Sequence, residues 1–185
     1  MRRRILAAAG IMLAAGTTLT ACSSGDGPSK ATATPTPTYE LPARPVRDGE
    51  KALRGTTVRS GDLAFTPIGL RTRMPELVGS HADVRPRGQF VRIRLVTENR
   101  GRTTQTLNTA KQLLITTDDA THPPDWQAML IKRQPESIDV GSAVRIELDL
   151  WYDIPPGDRV KALRLVGTPP VGATSDPPGV DIALS

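Results

Sequence analysis

Apolar and polar residues alternate with a period of two along much of the chain after Gly55. The clearest run covers residues 144–154, where every second side chain is apolar or aromatic and most of the others are charged. Because successive side chains of a β-strand point to opposite faces, this pattern predicts a strand with one buried and one polar face. A similar alternation over residues 91–98 predicts a second half-buried strand.

Shorter apolar runs at residues 113–116, 163–165 and 180–184 predict further strands. Around Pro67 the apolar positions change parity, which indicates a bulge or a bend. Turn-forming residues separate the runs, as at Pro155-Pro156-Gly157. After Gly55 no stretch holds an apolar stripe at helical spacing for three turns. The sequence therefore predicts an all-β antiparallel sandwich of about seven or eight strands.

The two clearest strands are expected to pair with each other. We predict that the strand around Ile93 lies antiparallel to the strand around Leu148. This pairing would bring arginines of the first strand opposite acids of the second, on the solvent side of the sheet. Each such cross-strand pair contributes at most about 1 kcal/mol. The side chains concerned are Arg92, Arg94, Glu147 and Asp149.

The turn motifs follow one another in a recognisable order. A strand ending in Thr97-Glu98-Asn99-Arg100-Gly101 precedes a hairpin region at residues 113–119, then Val140-Gly141-Ser142, Ile154-Pro155-Pro156-Gly157 and a closing Ala162-Leu163-Arg164-Leu165. This order is similar to an uncharacterised family of immunoglobulin-like domains in surface lipoproteins of Gram-positive bacteria, including actinobacteria. The resemblance covers roughly residues 56–166. It implies an extracytoplasmic immunoglobulin-like sandwich with a binding role, and it carries over no catalytic residue.

The chain departs from that family pattern at two places. Val140 stands where the family usually has proline, and the tail from Gly167 to Ser185 lies beyond the pattern. The sequence leaves open whether residues 167–185 add a final strand.

The first 22 residues have the organisation of a bacterial export signal. Three arginines follow Met1, and the segment Ile5–Leu19 is apolar or small and carries no charge. The next residues, Leu19, Thr20, Ala21 and Cys22, resemble the bacterial lipobox, and Cys22 is the only cysteine. The resemblance implies a diacylglyceryl group on the Cys22 thiol and cleavage after Ala21. We therefore expect a protein anchored by lipid to the outer face of the cell membrane, the alternatives being an ordinary secreted protein or an uncleaved anchor.

A Pro- and Thr-rich segment follows the predicted anchor. It has few branched apolar residues and no periodicity, so it buries too little surface to offset the entropy of ordering. We expect residues 1–21 to be the lipoprotein signal peptide, residues 22–54 the lipidated N-terminus and a disordered linker, and residues 55–185 the sandwich domain. The alternative for the linker is a bound edge strand around Tyr39 to Leu41.

The net charge gives no reason to expect a nucleic acid partner. The formal value is +5, but three of the 24 basic residues are Arg2, Arg3 and Arg4 in the signal peptide. The remaining 21 basic residues nearly balance the 19 acidic ones. A protein so close to neutrality lacks the basic surface that phosphate backbones attract. The expected partners are the membrane, through the lipid, and an unknown protein or cell-wall component.

The sequence offers weak candidates for metal binding and for catalysis. Asp118, Asp119, His122 and Asp125 lie within eight positions on one predicted loop and offer ligands for calcium or another cation. The plainer interpretation is a solvated hairpin with acidic turn residues, and no cofactor is expected. Copper binding would need clustered methionines and histidines, which are instead scattered. A small hydrolase using His81 or His122 is the weakest alternative, because no Gly-x-Ser-x-Gly motif presents a nucleophile.

Two features favour an interaction surface. Trp151 is out of phase with the apolar positions of its strand, so we expect it on the polar face, where exposed tryptophans often belong to binding patches. The alternative is that Trp151 caps the sandwich edge or lies beneath a loop. Trp126, after two prolines, is expected in the core, the alternative being an anchor for its loop. A basic cluster flanks an irregular loop at residues 74–88, and its members are Arg71, Arg73, Arg85 and Arg87. The leading hypothesis is therefore a binding module at the cell envelope.

Overall fold

The computed structural model describes residues 44–79, 83–169 and 172–184. Several features predicted above lie outside the described residues: the signal peptide, the lipobox with Cys22, the linker up to residue 43, the alternative strand at Tyr39 to Leu41, and His81. Within the described ranges, no helix is both long enough and apolar enough to span a membrane.

The described chain forms eleven strands, one 3-10 turn at Thr109–Lys111 and one short helix, α1, at Trp126–Ile131. The strands are β1 (Lys51–Ala52), β2 (Val58–Ser60), β3 (Leu63–Met74), β4 (Gln89–Asn99), β5 (Gln105–Asn108), β6 (Leu113–Thr116), β7 (Thr121–His122), β8 (Ser137–Val140), β9 (Arg145–Ile154), β10 (Val160–Leu165) and β11 (Val180–Ala183). The count exceeds the predicted seven or eight because β1, β2 and β7 have only two or three residues. Strands so short leave no alternating pattern in a sequence.

The strands form two sheets and a separate two-stranded ribbon. The first sheet has the order β1-β3-β4-β9, with β2 also paired to β3, and the second has the order β11-β10-β6-β7. The ribbon joins β5 and β8, and every pairing is antiparallel. In chain order, β3-β4-β9 and β6-β10-β11 match the A-B-E and C-F-G sheets of an immunoglobulin domain. The predicted immunoglobulin-like β-sandwich is therefore confirmed.

The core lies between the two sheets, and the central pairing is the predicted one. Ile93 is the register partner of Leu150, and Leu95 is the partner of Leu148. All four side chains are buried. The register of β3 against β4 shifts just after Pro67, which confirms the bulge predicted from the change of parity.

A buried tyrosine of the first sheet crosses the core, and the second sheet includes a C-terminal strand. Tyr152 of β9 reaches across the core, and its hydroxyl donates to the Gln112 carbonyl at 3.0 Å. Burial raises the pKa of Tyr152 well above its ordinary value. Residues Val180–Ala183 pair with β10, so the tail that extends past the family pattern does add a strand.

The folded unit begins earlier than predicted. Residues 44–54, assigned from composition to the linker, belong to the same compact unit as the sandwich. β1 pairs with β3, and the Glu50 side chain is fully buried on the outer face of the first sheet, against Arg92 and Arg94. Arg94 is consequently buried as well. The prediction that these arginines lie on the solvent side is wrong, because residues 44–52, which we call the strap, cover them.

Candidate functional site

A groove of about 530 Å³ opens on the outer face of the first sheet. We call it the Trp151 groove. Its lining combines cationic, acidic and apolar side chains from β3 and the segment after it, from β4 and β9, and from the residue after α1. The lining residues are Arg71, Met74, Pro75, Glu76, Leu77, Val78, Arg92, Lys132, Asp149 and Trp151.

Strand register and helix capping position the polar side chains of the groove. Arg92 of β4 and Trp151 of β9 are direct register partners. Asp125 caps the N-terminus of α1 by accepting from the Ala128 amide at 2.8 Å, and its own amide donates to the Trp151 carbonyl at 2.8 Å. Lys132, the C-cap of α1, is therefore held beside β9.

Trp151 forms the floor of the groove instead of an exposed patch. Only 5% of the residue is exposed. Arg92 Cζ lies 5.8 Å and Lys132 Nζ 5.7 Å from the centre of the indole ring, within the range of cation–π attraction. Trp151 therefore lies on the predicted polar face of β9 but is covered, as the alternative interpretation had it, by the segment after β3 and the C-cap of α1.

Trp126 shows the opposite outcome. It was expected in the core, yet it is 74% exposed on the first turn of α1, and Leu130 of the same helix is 66% exposed. Both side chains border a second, largely apolar depression of about 360 Å³, with Met129, Pro124 and Pro135 among its other lining residues. The sequence hint for this surface is the Pro-Pro-Asp segment before Trp126, which indicates a helix start at the surface.

The charges of the Trp151 groove are only partly neutralised. Arg92 Nη2 lies 2.9 Å from Glu50 Oε2, and Arg47 binds Asp149 with a 2.7 Å contact. Among the described residues, no carboxylate lies within ion-pair distance of Arg71 or Lys132. Lys132 Nζ instead donates to the Val78 carbonyl at 2.6 Å. The groove therefore contains two cationic groups that no described carboxylate neutralises.

Three buried polar atoms of the groove residues have no hydrogen-bond partner among the described residues. They are Arg92 Nε, Asp149 Oδ1 and Trp151 Nε1, half of the six such atoms in the described structure. Buried polar groups are normally paired, and an unpaired one costs free energy. Half of the unpaired buried atoms of the described structure therefore belong to residues of one groove.

The predicted basic cluster does not form one patch. Arg71 lines the Trp151 groove, whereas Arg73 lines a separate depression near the C-terminal strand. The amide of Arg87 donates to the Asp153 carboxylate at 2.8 Å, and Arg87 borders yet another depression, different from that of Arg73. Arg85 is exposed outside the groove. The register shift between Arg71 and Met74 turns neighbouring side chains in different directions.

The acidic loop after β6 is held together by its own hydrogen bonds. Asp118 Oδ1 accepts from the Thr116 hydroxyl at 2.6 Å. This hydrogen bond is the largest cause of a lowered pKa at Asp118. Asp119 forms an ion pair with Lys161. Asp125 serves as the cap of α1.

The four candidate ligands of that loop therefore do not converge. In the residues that the structure describes, no three His, Cys, Asp or Glu side chains are placed to hold a metal ion. His122 Nε2 lies 3.3 Å from the Thr116 hydroxyl, but that hydroxyl donates to Asp118 and is fully buried. A fully buried hydroxyl that donates to Asp118 lies out of reach of a substrate.

Comparison with known proteins places the chain in a protein family and finds similar folds. A family model described as a domain of unknown function (DUF4352) matches residues 53–176. No curated protein matches the chain.

Three solved structures are similar to this chain. A conserved hypothetical protein from Bacillus anthracis has 12% sequence identity and a TM-score of 0.48, over 70% of this chain and 96% of that one. The yjhA protein from Bacillus subtilis has 20% identity and a TM-score of 0.47, over 65% and 83%. An uncharacterized β-sandwich protein from Clostridium difficile 630 has 10% identity and a TM-score of 0.37, over 70% and 93%.

Proposed function

This chain belongs to the DUF4352 family, and we propose that it is a lipid-anchored extracytoplasmic protein whose β-sandwich binds a ligand at the cell envelope. The main evidence for the binding function is the Trp151 groove. The anchor rests on the pattern of the first 22 residues.

Three properties of the groove support ligand binding. Its volume of about 530 Å³ falls within the range of small-molecule sites, about 300–1,000 Å³. Its walls combine an apolar surface with a few convergent polar groups, as binding sites usually do. Buried donors and acceptors there lack partners in the described structure. A ligand that satisfied them would recover the free energy that their burial costs.

The lipid anchor is supported by four sequence features that coincide. A basic start, an uncharged apolar run, a lipobox-like tetrapeptide and the only cysteine follow one another in residues 1–22. A single acyl chain binds membranes only marginally, whereas two or more chains anchor stably. A diacylglyceryl group on Cys22 would meet that requirement.

Replacing Cys22 by alanine is expected to abolish membrane attachment. The wild-type protein should sediment with membranes and take up labelled fatty acid, whereas Cys22→Ala should appear in the medium or persist as an uncleaved precursor. Ser24→Ala, two residues away, is the matched control and should behave as wild type. Mature Cys22→Ala protein that stays on the membrane would contradict the anchor.

The groove is expected to bind material from the envelope of the cells that make the protein. The chain has two tryptophans, so Trp126→Phe leaves Trp151 as the only one. Titrating this variant with a polar envelope extract should change the Trp151 emission and reach saturation. In Trp151→Phe, the exposed Trp126 should not respond. No response of Trp151, or an equal response of both tryptophans, would contradict binding in the groove.

A further inference from the structure

We propose that the ligand of the Trp151 groove is a sugar that carries one anionic group, a carboxylate or a phosphate. This inference rests on the proposed binding function and names the ligand class of that same site. It follows from three parts of the groove: the unneutralised cations, the unpaired hydrogen-bonding atoms and the apolar wall.

The cations select an anionic group. Arg71 and Lys132 have no carboxylate partner among the described residues, and Arg71 donates only a long 3.4 Å hydrogen bond to the Asp48 carbonyl. The guanidinium group presents parallel N–H donors that match the oxygens of a carboxylate or phosphate. Arg71 is also exposed at the groove, so a ligand reaches it without displacing the strap.

The unpaired atoms select hydroxyl groups. Asp149 Oδ1 accepts hydrogen bonds, whereas Arg92 Nε and Trp151 Nε1 donate them. A hydroxyl group both donates and accepts, so a ring carrying several hydroxyls can satisfy both kinds of atom at once. A simple anion offers only acceptors and would leave the Asp149 oxygen unpaired. Glu76 adds a second acceptor at the rim, with no ion-pair partner in the described part of the chain.

The apolar wall and the volume of the groove indicate a ligand that is larger than a small ion. Met74, Pro75, Leu77 and Val78 line the groove together with the charged groups. The C–H face of a sugar ring can pack on such a wall while its hydroxyls face the polar atoms. Lys132 Nζ lies over the Trp151 ring, so a ligand that contacts the indole displaces this flexible side chain. That movement changes the surroundings of Trp151 and makes its emission a direct signal of binding.

The test uses the full-length protein purified in detergent, with Trp126→Phe so that Trp151 alone is observed. The probes are glucuronate, glucose 6-phosphate, glucose and propionate at constant ionic strength, because salt screens exposed charges. At least one anionic sugar should bind about tenfold or more tightly than either glucose or propionate. If glucuronate binds more tightly than glucose 6-phosphate, the natural ligand carries a carboxylate; if glucose 6-phosphate binds more tightly, it carries a phosphate.

Arg71→Ala should weaken binding of the anionic sugar about tenfold or more, the usual effect of losing a charged hydrogen bond, and leave glucose binding unchanged. Arg73→Ala is the matched control, since Arg73 is exposed on the same strand but lines a different depression. It should bind like the parent protein.

Several outcomes would overturn this ligand assignment. Propionate binding as tightly as glucuronate would show a general anion site, and equal binding of glucose would show a neutral sugar site. Equal losses of affinity for the anionic sugar in Arg71→Ala and Arg73→Ala would indicate charge attraction without a defined site. If the envelope extract changes Trp151 emission but no sugar does, the ligand class is wrong while the binding function stands. If neither does, both proposals fail.

Discussion

Replacing Glu50 by alanine is expected to lower the free energy of unfolding by about 3–5 kcal/mol, because it leaves two buried guanidinium groups without their shared carboxylate. The Glu50 side chain is fully buried, with Arg92 Nη2 at 2.9 Å and Arg94 Nη2 at 2.8 Å. Urea unfolding of the full-length chain, followed by tryptophan emission, measures the loss. Gly69 belongs to the same arrangement, since a β-carbon there would collide with the Glu50 carboxyl group.

An exposed pair with similar chemistry is the control for Glu50. Arg164 Nε and Nη2 bind the two carboxylate oxygens of Asp181 at 2.7 and 2.8 Å, but both side chains are substantially exposed. Solvent screens such a pair, so Asp181→Ala should lose much less stability than Glu50→Ala. If the two variants lose similar stability, the buried cluster does not hold the strap to the sheet as the contacts indicate.

Replacing Asn99 by aspartate is expected to lower the free energy of unfolding by about 3 kcal/mol or more at neutral pH. Asn99 is fully buried. Its Nδ2 donates to the Thr103 carbonyl at 2.8 Å and the Val140 carbonyl at 2.7 Å, and its Oδ1 accepts from the Gly101 amide at 2.8 Å. The substitution keeps the shape but sets a carboxylate oxygen against two carbonyl oxygens. Urea unfolding at several pH values measures the effect.

The effect of Asn99→Asp should depend on pH with a defined sign. Burial against two acceptors raises the pKa of the introduced carboxyl in the folded state above its unfolded value. The stability deficit is therefore smallest at low pH, where the carboxyl is protonated in both states, and grows as the pH rises through the unfolded pKa.

Asn108→Asp provides the control for Asn99. Among the described residues, the Asn108 side chain forms one hydrogen bond, in which its oxygen accepts from the Ala110 amide at 2.9 Å, and a carboxylate can do the same. The free energy of unfolding of Asn108→Asp should stay close to that of the wild-type protein across the same pH range. A loss as large as that of Asn99→Asp would mean that the amide donors of Asn99 are not the reason for its effect.

The turn motif around Asn99 shows how far sequence reasoning reached. The sequence Asn99-Arg100-Gly101 after a strand correctly indicated a turn, because asparagine and glycine readily adopt the backbone conformations of turns. The bond from Asn99 to Val140, 41 positions away, depends on how β4 and β8 lie in space. A local motif therefore predicted the turn but not the hydrogen bond to a distant strand.

The two tryptophans show that the periodicity of a sequence does not by itself predict which side chains are exposed. Alternation correctly placed Trp151 on the face of β9 opposite the core, but it assumed that this face meets solvent. The segment after β3 and the helix C-cap cover the face at this point, so Trp151 became the floor of a groove. Trp126 was expected in the core, yet its short helix has a side that nothing in the described chain covers.

The alternation of apolar and polar residues alone determined the sandwich class, the pairing of β4 with β9 and the bulge at Pro67, because a half-buried strand imposes a period of two on its residues. The same local patterns indicated an export signal and a lipobox. Only the tertiary structure brought Glu50, from a proline-rich stretch, onto two arginines of β4, and assembled the groove from four separate parts of the chain. Contacts between residues distant in sequence leave no periodicity to detect, so the candidate site appears only once the sheets and the strap are packed together.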